Sequence, residues 1–334
     1  MFDVITIGTV TRDVFLSSSL FKVLRDPEHL ARLGFKTGEA ECFAFGSKLD
    51  VGEPLFTVGG GAANAAVTFA RQGFRTAMLA KVGDDASADS VFAQLKREKI
   101  TAFLPRHRKE GTGYSTILLT PGGERTILVY RGASGTLEKK EVPFSKLGAR
   151  WAYIAPGEIP FSVMEEIVTR LKKAGVKIAM NPSKDYLSLK KEKLEWLFSR
   201  LDLVSVNKEE ASYATGVPYG NERGIFKKFD DMVPGIALVT DGPRGAIASD
   251  GSYLYRAGVF KEKKILDRTG AGDAFGSGFV AGLMRKNDVH YALRLASANA
   301  TSVVERVGGA SGALAAREFS AKRWSFLNLD VEKL

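Results

Sequence analysis

The chain has 334 residues, a formal net charge of +10, and an ordinary globular composition with 45% hydrophobic and 26% charged residues. No apolar run approaches the roughly 18 residues of a membrane span, and the single cysteine, Cys42, excludes an internal disulfide and any cysteine-built metal site. Basic residues alternate with glutamates in helical stretches, which is typical of solvated helix faces and argues against a nucleic-acid partner. A positive field would also attract anionic nucleotides or sugar phosphates.

The N-terminus begins with a β-branched run, Phe2–Gly8, and has no basic region before it. This pattern predicts a first strand and not a signal peptide, so we expect a cytoplasmic protein without a membrane partner. The polar stretch 9–13 should then form a loop at the carboxyl end of that strand, which is the usual binding edge of an open α/β sheet. Asp13 in this loop is a candidate binding residue, and simple turn chemistry is the competing interpretation.

Residues 17–57 differ in character from the rest of the chain. A helix is predicted within Leu20–Leu33, a strand at Glu41–Ser47 and a turn at Lys48–Gly52. The stretch interrupts the strand–helix rhythm seen elsewhere, so we interpret it as part of a peripheral lid that affects substrate access or a dimer contact.

A β-hairpin is predicted farther along the chain. The β-rich runs Tyr114–Thr120 and Arg125–Tyr130 flank the turn residues 121–124. The segments 17–57 and 112–131 together predict a small β-rich lid over one edge of a larger α/β core.

A glycine triplet at residues 59–61 precedes an alanine-rich helical stretch. Glycine allows a ligand or another backbone to approach closely, so Gly60, Gly61 and the nearby Asn64 are candidate binding residues. Tight helix packing explains the same pattern equally directly.

The second half of the chain alternates apolar strands with helical patterns, which is the rhythm of βαβ units and a parallel sheet. The alternating segments are Trp151–Ala155, Ser162–Ala174, Lys177–Met180, Lys190–Leu197, Leu203–Val206, Glu209–Thr215 and Ala237–Thr240. An earlier helix is predicted at Ala86–Glu98, with Ala88, Val91, Phe92 and Leu95 on one side. We therefore expect residues 1–334 to form a single α/β domain with a mostly parallel central sheet.

Three polar or glycine-rich turns follow elements of this series. Asn207 and Glu210 occupy the cap and third positions of a helix, which is a capping box. Residues 239–246 form a strand, a glycine turn and a new strand. The helix Ala292–Val307 ends in the glycine turn 308–312, for which a plain helix C-cap is one interpretation.

The most informative stretch is Leu266–Leu283, a Gly-Ala-Gly turn that leads into a helix rich in small residues. Gly270 and Gly272 lack a Cβ, so the backbone N–H groups there can converge on an anion such as phosphate. Asp273 stands at this positive end. A carboxylate there either caps the helix or takes a proton from an attacking hydroxyl.

Two separate signatures in this order resemble those of the ribokinase-like (PfkB) carbohydrate kinases. One is the pattern Gly-Gly-x-x-x-Asn, helix, Gly, strand, Val-Gly-Asp-Asp that starts at Gly59. The other consists of Asp267, Thr269, Gly270, Ala271, Gly272, Asp273 and Gly278. Arg268 departs from the commoner Thr of the family, and Gly61 stands where ribokinase has Lys. The resemblance implies a three-layer α/β/α sandwich with a mostly parallel sheet and a small β-rich lid.

The same resemblance implies an ATP-dependent kinase that phosphorylates a hydroxyl of a sugar or sugar-like compound. The catalytic residues would be the base Asp273 and the anion hole formed by Gly270, Ala271 and Gly272. Acceptor binding is implied for Asp13, Gly60, Gly61, Asn64, Glu158 and Arg131. Nucleotide binding is implied for Asn207, Thr240, Gly242, Gly245, Gly272 and Asn299. Mg²⁺ is implied at Glu210 through water, and a monovalent cation, K⁺, near Asp267, Thr269 and Gly308.

Several alternatives remain at this point. For Glu158 and Arg131 the competing interpretations are a turn residue and an exposed strand charge. A nucleoside kinase of the same family is the leading alternative function, and a sugar-phosphate kinase follows it. A Rossmann-type dehydrogenase and a P-loop kinase are disfavoured because their glycine motifs are absent from the sequence. The expected partners are a small sugar or nucleoside and a second copy of the chain, bound through the lid.

Overall fold

The structure is a computed structural model that describes residues 1–34, 38–120 and 125–334. Its strands are β1 Phe2–Gly8, β2 Thr11–Ser17, β3 Lys22–Arg25, β4 Glu39–Cys42, β5 Leu55–Gly59, β6 Thr76–Leu79, β7 Val82–Gly83, β8 Thr101–Phe103, β9 Arg106–His107, β10 Tyr114–Leu119, β11 Arg125–Tyr130, β12 Ala149–Ala155, β13 Lys177–Met180, β14 Leu203–Asn207, β15 Ile236–Thr240, β16 Ala246–Ser249, β17 Tyr253–Ala257 and β18 Leu329–Lys333. Its α-helices are α1 Pro27–Arg32, α2 Gly61–Arg71, α3 Ala86–Arg97, α4 Phe161–Lys173, α5 Lys184–Leu187, α6 Lys191–Phe198, α7 Lys208–Thr215, α8 Glu222–Met232, α9 Ala271–Lys286, α10 Val289–Val304 and α11 Ala316–Phe319.

A large sheet passes through the centre of the molecule in the order β18-β17-β16-β15-β14-β13-β12-β1-β6-β8. The strands from β8 to β15 run parallel, and β16 to β18 add an antiparallel edge. In β1 the side chains of Val4, Ile5 and Ile7 are completely buried. Burial of both faces is what a parallel strand covered by helices requires.

Helices cover both faces of the large sheet. Val4 of β1 packs into the cluster formed with α2, α3, α9 and α10, whereas Ile5 and Ile7 pack into the cluster formed with α4 to α8. This confirms the predicted three-layer α/β/α sandwich. Within the described residues no helix is both long and apolar enough to cross a membrane.

Helices α9 and α10 approach each other through small residues. A Cβ built on Gly282 would lie 2.4 Å from Cα of Ala292, and one on Gly278 would lie 3.0 Å from Cα of Ala296. Such close contact leaves α9 little freedom to shift along its neighbour. The N-terminus of α9, where the Gly-Ala-Gly turn lies, is therefore held in place by the packing behind it.

A second, smaller sheet has the strand order β11-β10-β2-β5; we call it the small sheet. Strand β2 runs parallel to β10 and antiparallel to β5. Only residues 9 and 10 separate β1 from β2, and β5 leads directly into α2. The small sheet is thus attached to the carboxyl end of the central strand β1.

The start of the small sheet differs from the sequence prediction. Residues 9–13 were expected to form a loop, but β2 begins at Thr11 and includes Asp13. The polar side chains of this segment suggested a loop, but its main chain pairs with β5 on one side and with β10 on the other. Asp13 therefore lies within a strand and not in a turn.

The segment between β2 and β5 also differs from its prediction. A helix does form within Leu20–Leu33 and begins at Pro27, but it is the short helix α1, and the strand β3 precedes it. Asp26 caps this helix by accepting a hydrogen bond from the His29 N–H, and proline follows at the first helical position, so the helix begins there. The strand expected at Glu41–Ser47 is instead β4, which ends at Cys42. The predicted turn at residues 121–124 lies outside the described residues.

Helix α3 confirms its prediction in extent but not in its buried face. Ala88, Val91 and Leu95 are completely buried, whereas the side chain of Phe92 is 48% exposed. The buried stripe is narrow, and Phe92 lies at its border.

Candidate active site

Helix α9 begins at the Gly-Ala-Gly turn. Gly270 is its N-cap residue, with φ 74° and ψ 3°, and a Cβ there would lie 2.2 Å from the carbonyl oxygen of Gly309. Both the left-handed backbone and the close approach require glycine. A Cβ on Gly272, in contrast, would meet no atom within 4 Å. The side-chain position of Gly272 therefore opens onto free space at the start of α9, where the helix dipole is positive and the N–H groups lack intrahelical acceptors.

The Asp273 carboxylate does not cap α9. Among the described residues no side chain makes a capping hydrogen bond at this helix start, and Asp273 Oδ2 instead accepts a hydrogen bond of 2.9 Å from Asn64 Nδ2. Burial raises the pKa of the Asp273 carboxyl above its ordinary value, and the Asn64 hydrogen bond acts in the opposite direction. The capping interpretation fails, and the carboxylate remains available for chemistry.

The glycine triplet brings the N-terminus of α2 against Asp273. Gly60 is the N-cap residue of α2 with φ 90°, and a Cβ on Gly61 would lie only 3.2 Å from Asp273 Oδ1. Asn64 lies one turn into this helix, and its Oδ1 is buried without a hydrogen-bond partner in the described part of the chain. The structure thus brings together Gly60, Gly61, Asn64 and Asp273, which the sequence analysis placed in one site.

Asp13 is held in the interior of the small sheet and is 5% exposed. Its Oδ1 accepts a hydrogen bond of 2.7 Å from Thr11 Oγ1, and the Ser115 hydroxyl lies close enough to lower the pKa of the same carboxyl. Desolvation raises the pKa of the Asp13 carboxyl, while these two hydroxyls lower it. A Cβ on Gly59 would lie 1.8 Å from Asp13 Oδ2, so only glycine leaves room for the carboxylate.

Asp267 joins the two glycine turns near α9. Its side chain is 1% exposed and accepts hydrogen bonds from the N–H groups of Thr269 at 2.9 Å and Gly308 at 3.1 Å. One carboxylate therefore connects the loop before α9 with the turn after α10. The Thr269 hydroxyl beside it is buried and has no hydrogen-bond partner in residues 1–34, 38–120 and 125–334.

Asn207 and Glu210 form the predicted capping box at the start of α7. Asn207 Oδ1 accepts from the Glu210 N–H, and Glu210 Oε2 accepts from the Asn207 N–H, both at 2.9 Å. Burial raises the pKa of the Glu210 carboxyl, and the negative charges of Glu209 and Asp273 act in the same direction. A Cβ built on Gly276 of α9 would lie 2.9 Å from Ser205 Oγ of β14, so Glu210 follows a strand that packs against α9.

A cavity of about 210 Å³ opens beside the N-terminus of α9. Its wall contains four of the residues expected to bind nucleotide, Thr240, Gly242, Gly245 and Gly272. The remaining wall includes the apolar Val259, Phe275, Ala300 and Val304 and the polar Ser297, Thr301, Glu262 and Arg268. The cavity wall therefore offers both apolar surface and polar groups, and it includes the start of α9.

Asn299 does not line this cavity. It is completely buried, its Nδ2 donates to the carbonyl oxygen of Ala274 at 2.8 Å and to Thr68 Oγ1 at 3.2 Å, and its Oδ1 accepts from the Leu314 N–H at 2.8 Å. The amide is fully used to connect α10 with α9 and α2. Other residues of α10, such as Ser297 and Thr301, face the cavity instead.

Glu158 and Arg131 form an exposed ion pair with an N–O distance of 2.7 Å. Their side chains are 40% and 58% exposed, respectively. Within the described chain neither shares a hydrogen bond or ion pair with Asp13 or Asp273. The structure brings these two residues to each other, and their role in acceptor binding stays a prediction.

The sequence analysis missed the hydroxyl residues that surround Asp13, namely Thr11, Thr57 and Ser115. The signal available was the alternation along β10, where Ser115, Ile117 and Leu119 are buried while the residues between them are half-buried. Ser115 stands two residues before the buried Ile117, so its hydroxyl is expected on the same, inward-facing side of the strand.

Comparison with known proteins identifies the family. The family described as "pfkB family carbohydrate kinase" matches residues 35–316. Ribokinase from Haemophilus influenzae is 29% identical over 260 residues, which cover 76% of this chain and 83% of that protein. Cytidine kinase from Thermococcus kodakarensis is 26% identical over 252 residues, which cover 75% of this chain and 88% of that protein.

Solved structures support the same fold. The nucleoside kinase of Methanocaldococcus jannaschii gives a TM-score of 0.77 at 20% identity and covers 96% of this chain and 98% of its own. Arabidopsis thaliana ribokinase, complexed with ribose and ATP, gives a TM-score of 0.76 at 19% identity, with coverage of 97% and 99%. At these identities the likeness shows the ribokinase fold alone. From the family match over most of its length, the chain belongs to the pfkB family of carbohydrate kinases and is a phosphotransferase whose acceptor group is a hydroxyl.

Proposed function

We propose that this protein is an ATP-dependent kinase that phosphorylates a hydroxyl of a small sugar or sugar-like compound. The observation that carries the proposal is the Asp273 carboxylate, which makes no cap and lies at the N-terminus of α9 beside a cavity lined by Ala271 and Gly272. A nucleoside kinase is the second candidate, favoured by the similarity to a cytidine kinase.

Asp273 acts as the general base in the proposed reaction. It takes the proton of the acceptor hydroxyl as that oxygen attacks the terminal phosphorus of the donor, and Asn64 holds the carboxylate in place through Oδ2. The N–H groups at the start of α9 stabilise the negative charge of the transferring phosphoryl group, supported by the helix dipole. Phosphoryl transfer depends mainly on such positioning and electrostatic stabilisation.

The cavity beside α9 fits a nucleotide in its chemistry. Val259, Phe275 and Ala300 offer apolar surface to a base, and the hydroxyls of Thr240 and Thr301 offer hydrogen bonds. ATP supplies the phosphoryl group when bound, and the open side of Gly272 lets its phosphates approach the helix amides.

Glu210 fits a role in magnesium binding through water only. Its Oε2 is occupied by the Asn207 N–H, and the described residues contain no group of three or more His, Cys, Asp or Glu side chains that could hold a metal ion. Mg²⁺ commonly keeps several waters and takes one or two carboxylates together with substrate phosphates. Glu210 would then orient a water of the ion that neutralises the donor phosphates.

Glu210→Gln tests this role. Gln can complete a capping box as Glu does, so we expect the melting temperature to change little. Loss of the carboxylate charge should weaken the dependence of turnover on Mg²⁺ concentration, measured as initial rate at fixed ATP. An unchanged magnesium profile in this variant would show that Glu210 is only a capping residue.

A monovalent-cation site is proposed near Asp267, Thr269 and Gly308. The buried Thr269 hydroxyl without a partner, next to a buried carboxylate, is an oxygen donor set that suits such an ion. Asp267 already accepts hydrogen bonds from two backbone N–H groups, so this residue has a structural role as well.

A homodimer through the small sheet is also proposed. Strand β11 is the outer strand, and its side chains Ile127, Leu128, Val129 and Tyr130 are 39%, 58%, 52% and 49% exposed. An apolar edge strand of this kind is a ready surface for strand pairing. Leu128→Lys should shift the mass measured by sedimentation from dimer to monomer, and a parental mass that is already monomeric would contradict the proposal.

The kinase function is tested by coupled ADP release over a panel of acceptors. The panel contains D-ribose, 2-deoxy-D-ribose, D-fructose, fructose 6-phosphate, cytidine and adenosine. Acceptor-dependent ADP release with one sugar is the expected result, and a preference for cytidine or adenosine would select the second candidate. No ADP release with any acceptor would contradict both.

A further inference from the structure

We propose that Thr57 is an acceptor-binding residue that selects for a vicinal diol, an inference that rests on the proposed acceptor site around Asp13. Thr57 lies on β5 directly opposite Asp13, and Ser115 lies opposite the same residue on β10. Directly paired residues of neighbouring strands share one face of a sheet. A hydroxyl, a carboxylate and a second hydroxyl thus form one row, and these residues are 7%, 5% and 7% exposed.

The two hydroxyls of this row are used differently. The Ser115 hydroxyl faces the Asp13 carboxylate and lowers the pKa of its carboxyl. Thr57 Oγ1 is buried and, in the part of the chain that the structure describes, has no hydrogen-bond partner. Buried polar atoms almost always have a partner, so an orphaned one calls for a water or a ligand group that completes it.

Packing against the Gly308 turn restricts the orientation of Thr57. A Cβ built on Gly308 would lie 3.1 Å from Cγ2 of Thr57, so the methyl group contacts this turn. A β-branched side chain has few χ1 rotamers, and the contact of its methyl group restricts the position of its hydroxyl as well. The Asp13 carboxylate leans over Gly59, two residues along β5, without bonding Thr57.

These neighbours define the chemistry of the ligand. Thr11 Oγ1 already donates to Asp13, and as a carboxylate Asp13 can still accept further hydrogen bonds but cannot donate one. Thr57 can donate or accept. Cβ atoms of directly paired residues lie about 4.5–5.5 Å apart, which suits two hydroxyls on adjacent carbons, one for each side chain. Thr57 would then discriminate a diol from its deoxy analogue, because a site built to bond a hydroxyl rejects the molecule that lacks it.

The test uses Thr57→Val with Thr6→Val as the matched control. Thr6 lies in the core strand β1 and is completely buried, and its hydroxyl also lacks a partner among the described residues. Loss of one neutral hydrogen bond weakens binding roughly 3- to 10-fold. Thr57→Val should therefore raise KM for the best acceptor of the panel by that factor and leave KM for ATP unchanged. Thr6→Val should change neither KM. Thr57→Ser keeps the hydroxyl and should therefore have the parental KM for the acceptor. Thr57→Ala replaces Thr57→Val in this test if the valine variant does not fold.

The parent and the valine variant are then compared on monodeoxy analogues of the same acceptor. The effect of Thr57→Val should vanish for the analogue that lacks the hydroxyl bound by Thr57, because the two deletions remove one interaction. Unchanged acceptor KM in Thr57→Val, while Asp13→Ala raises it, would overturn the inference and leave the proposed function standing. If Asp13→Ala also leaves acceptor KM unchanged, the proposed acceptor site itself is wrong.

Discussion

Asp273→Asn should remove most of the phosphotransferase activity and leave the fold intact. Asn cannot accept the proton of the acceptor hydroxyl, and loss of a general base typically lowers the rate by ~10²–10⁴-fold. The amide oxygen of the new residue can still accept from Asn64 Nδ2, so the local hydrogen bond survives. ATP affinity should be kept or slightly improved, because a negative charge near the donor phosphates disappears.

The difference in stability between this variant and the parent should depend on pH. Burial raises the pKa of the Asp273 carboxyl in the folded state, so the folded protein binds this proton more tightly than the unfolded chain. The ionised carboxylate therefore destabilises the fold at pH values above the raised pKa, and that penalty fades as the pH falls through it. We expect Asp273→Asn to be at least as stable as the parent at neutral pH and to lose this advantage in acid, measured by urea unfolding across pH.

Asp288→Asn serves as the control for Asp273→Asn. Asp288 is the exposed N-cap residue of α10 and accepts a hydrogen bond from the Tyr291 N–H. Asn caps about as well as Asp, so this variant should match the parent in both kcat and stability. Parental turnover in Asp273→Asn would refute the general-base role.

Gly270→Ala should impair both folding and catalysis. A left-handed backbone costs a non-glycine residue ~1–2 kcal/mol, and the new Cβ would also overlap the carbonyl oxygen of Gly309, 2.2 Å away. Relief of this overlap must move the start of α9, and a displacement of about 1 Å in a catalytic site can lower the rate ~10²-fold. Thermal unfolding and kcat with the best acceptor measure the two effects.

Gly175→Ala separates the steric overlap from the backbone strain. Gly175 follows α4 with φ 72°, close to the value at Gly270, and a Cβ there would meet no atom within 4 Å. This variant should lose only the ~1–2 kcal/mol of backbone strain and keep parental kcat. If Gly270→Ala behaves in the same way, the contact with Gly309 does not position the helix.

The parallel part of the core could be predicted from the sequence because each strand is a short apolar run between helical patterns. Lys177–Met180 is an example in which the predicted and observed bounds coincide. The small sheet was harder, because Thr11 and Asp13 are polar and β2 is defined by pairing with two distant strands. Strand pairing of this kind leaves little trace in the local pattern.

The same distinction applies to the site. The glycine turn before Asp273 and the triplet before Asn64 are local signals, since glycine spacing reports backbone conformation directly. Thr57 and Ser115 could not be found that way, because only the register of β2 against its neighbours places them beside Asp13. Asn299 was placed in the nucleotide pocket from resemblance, whereas its amide is used for three hydrogen bonds between elements.

The hydrogen bond between Asn64 and Asp273 joins residues that are 209 positions apart in the chain. During synthesis the ribosome therefore releases α2 long before Asp273 is added to the chain. A nascent chain or a degradation product that ends before α9 contains Gly60, Gly61 and Asn64 but lacks Asp273. The proposed site is therefore complete only once α9 has packed against α2.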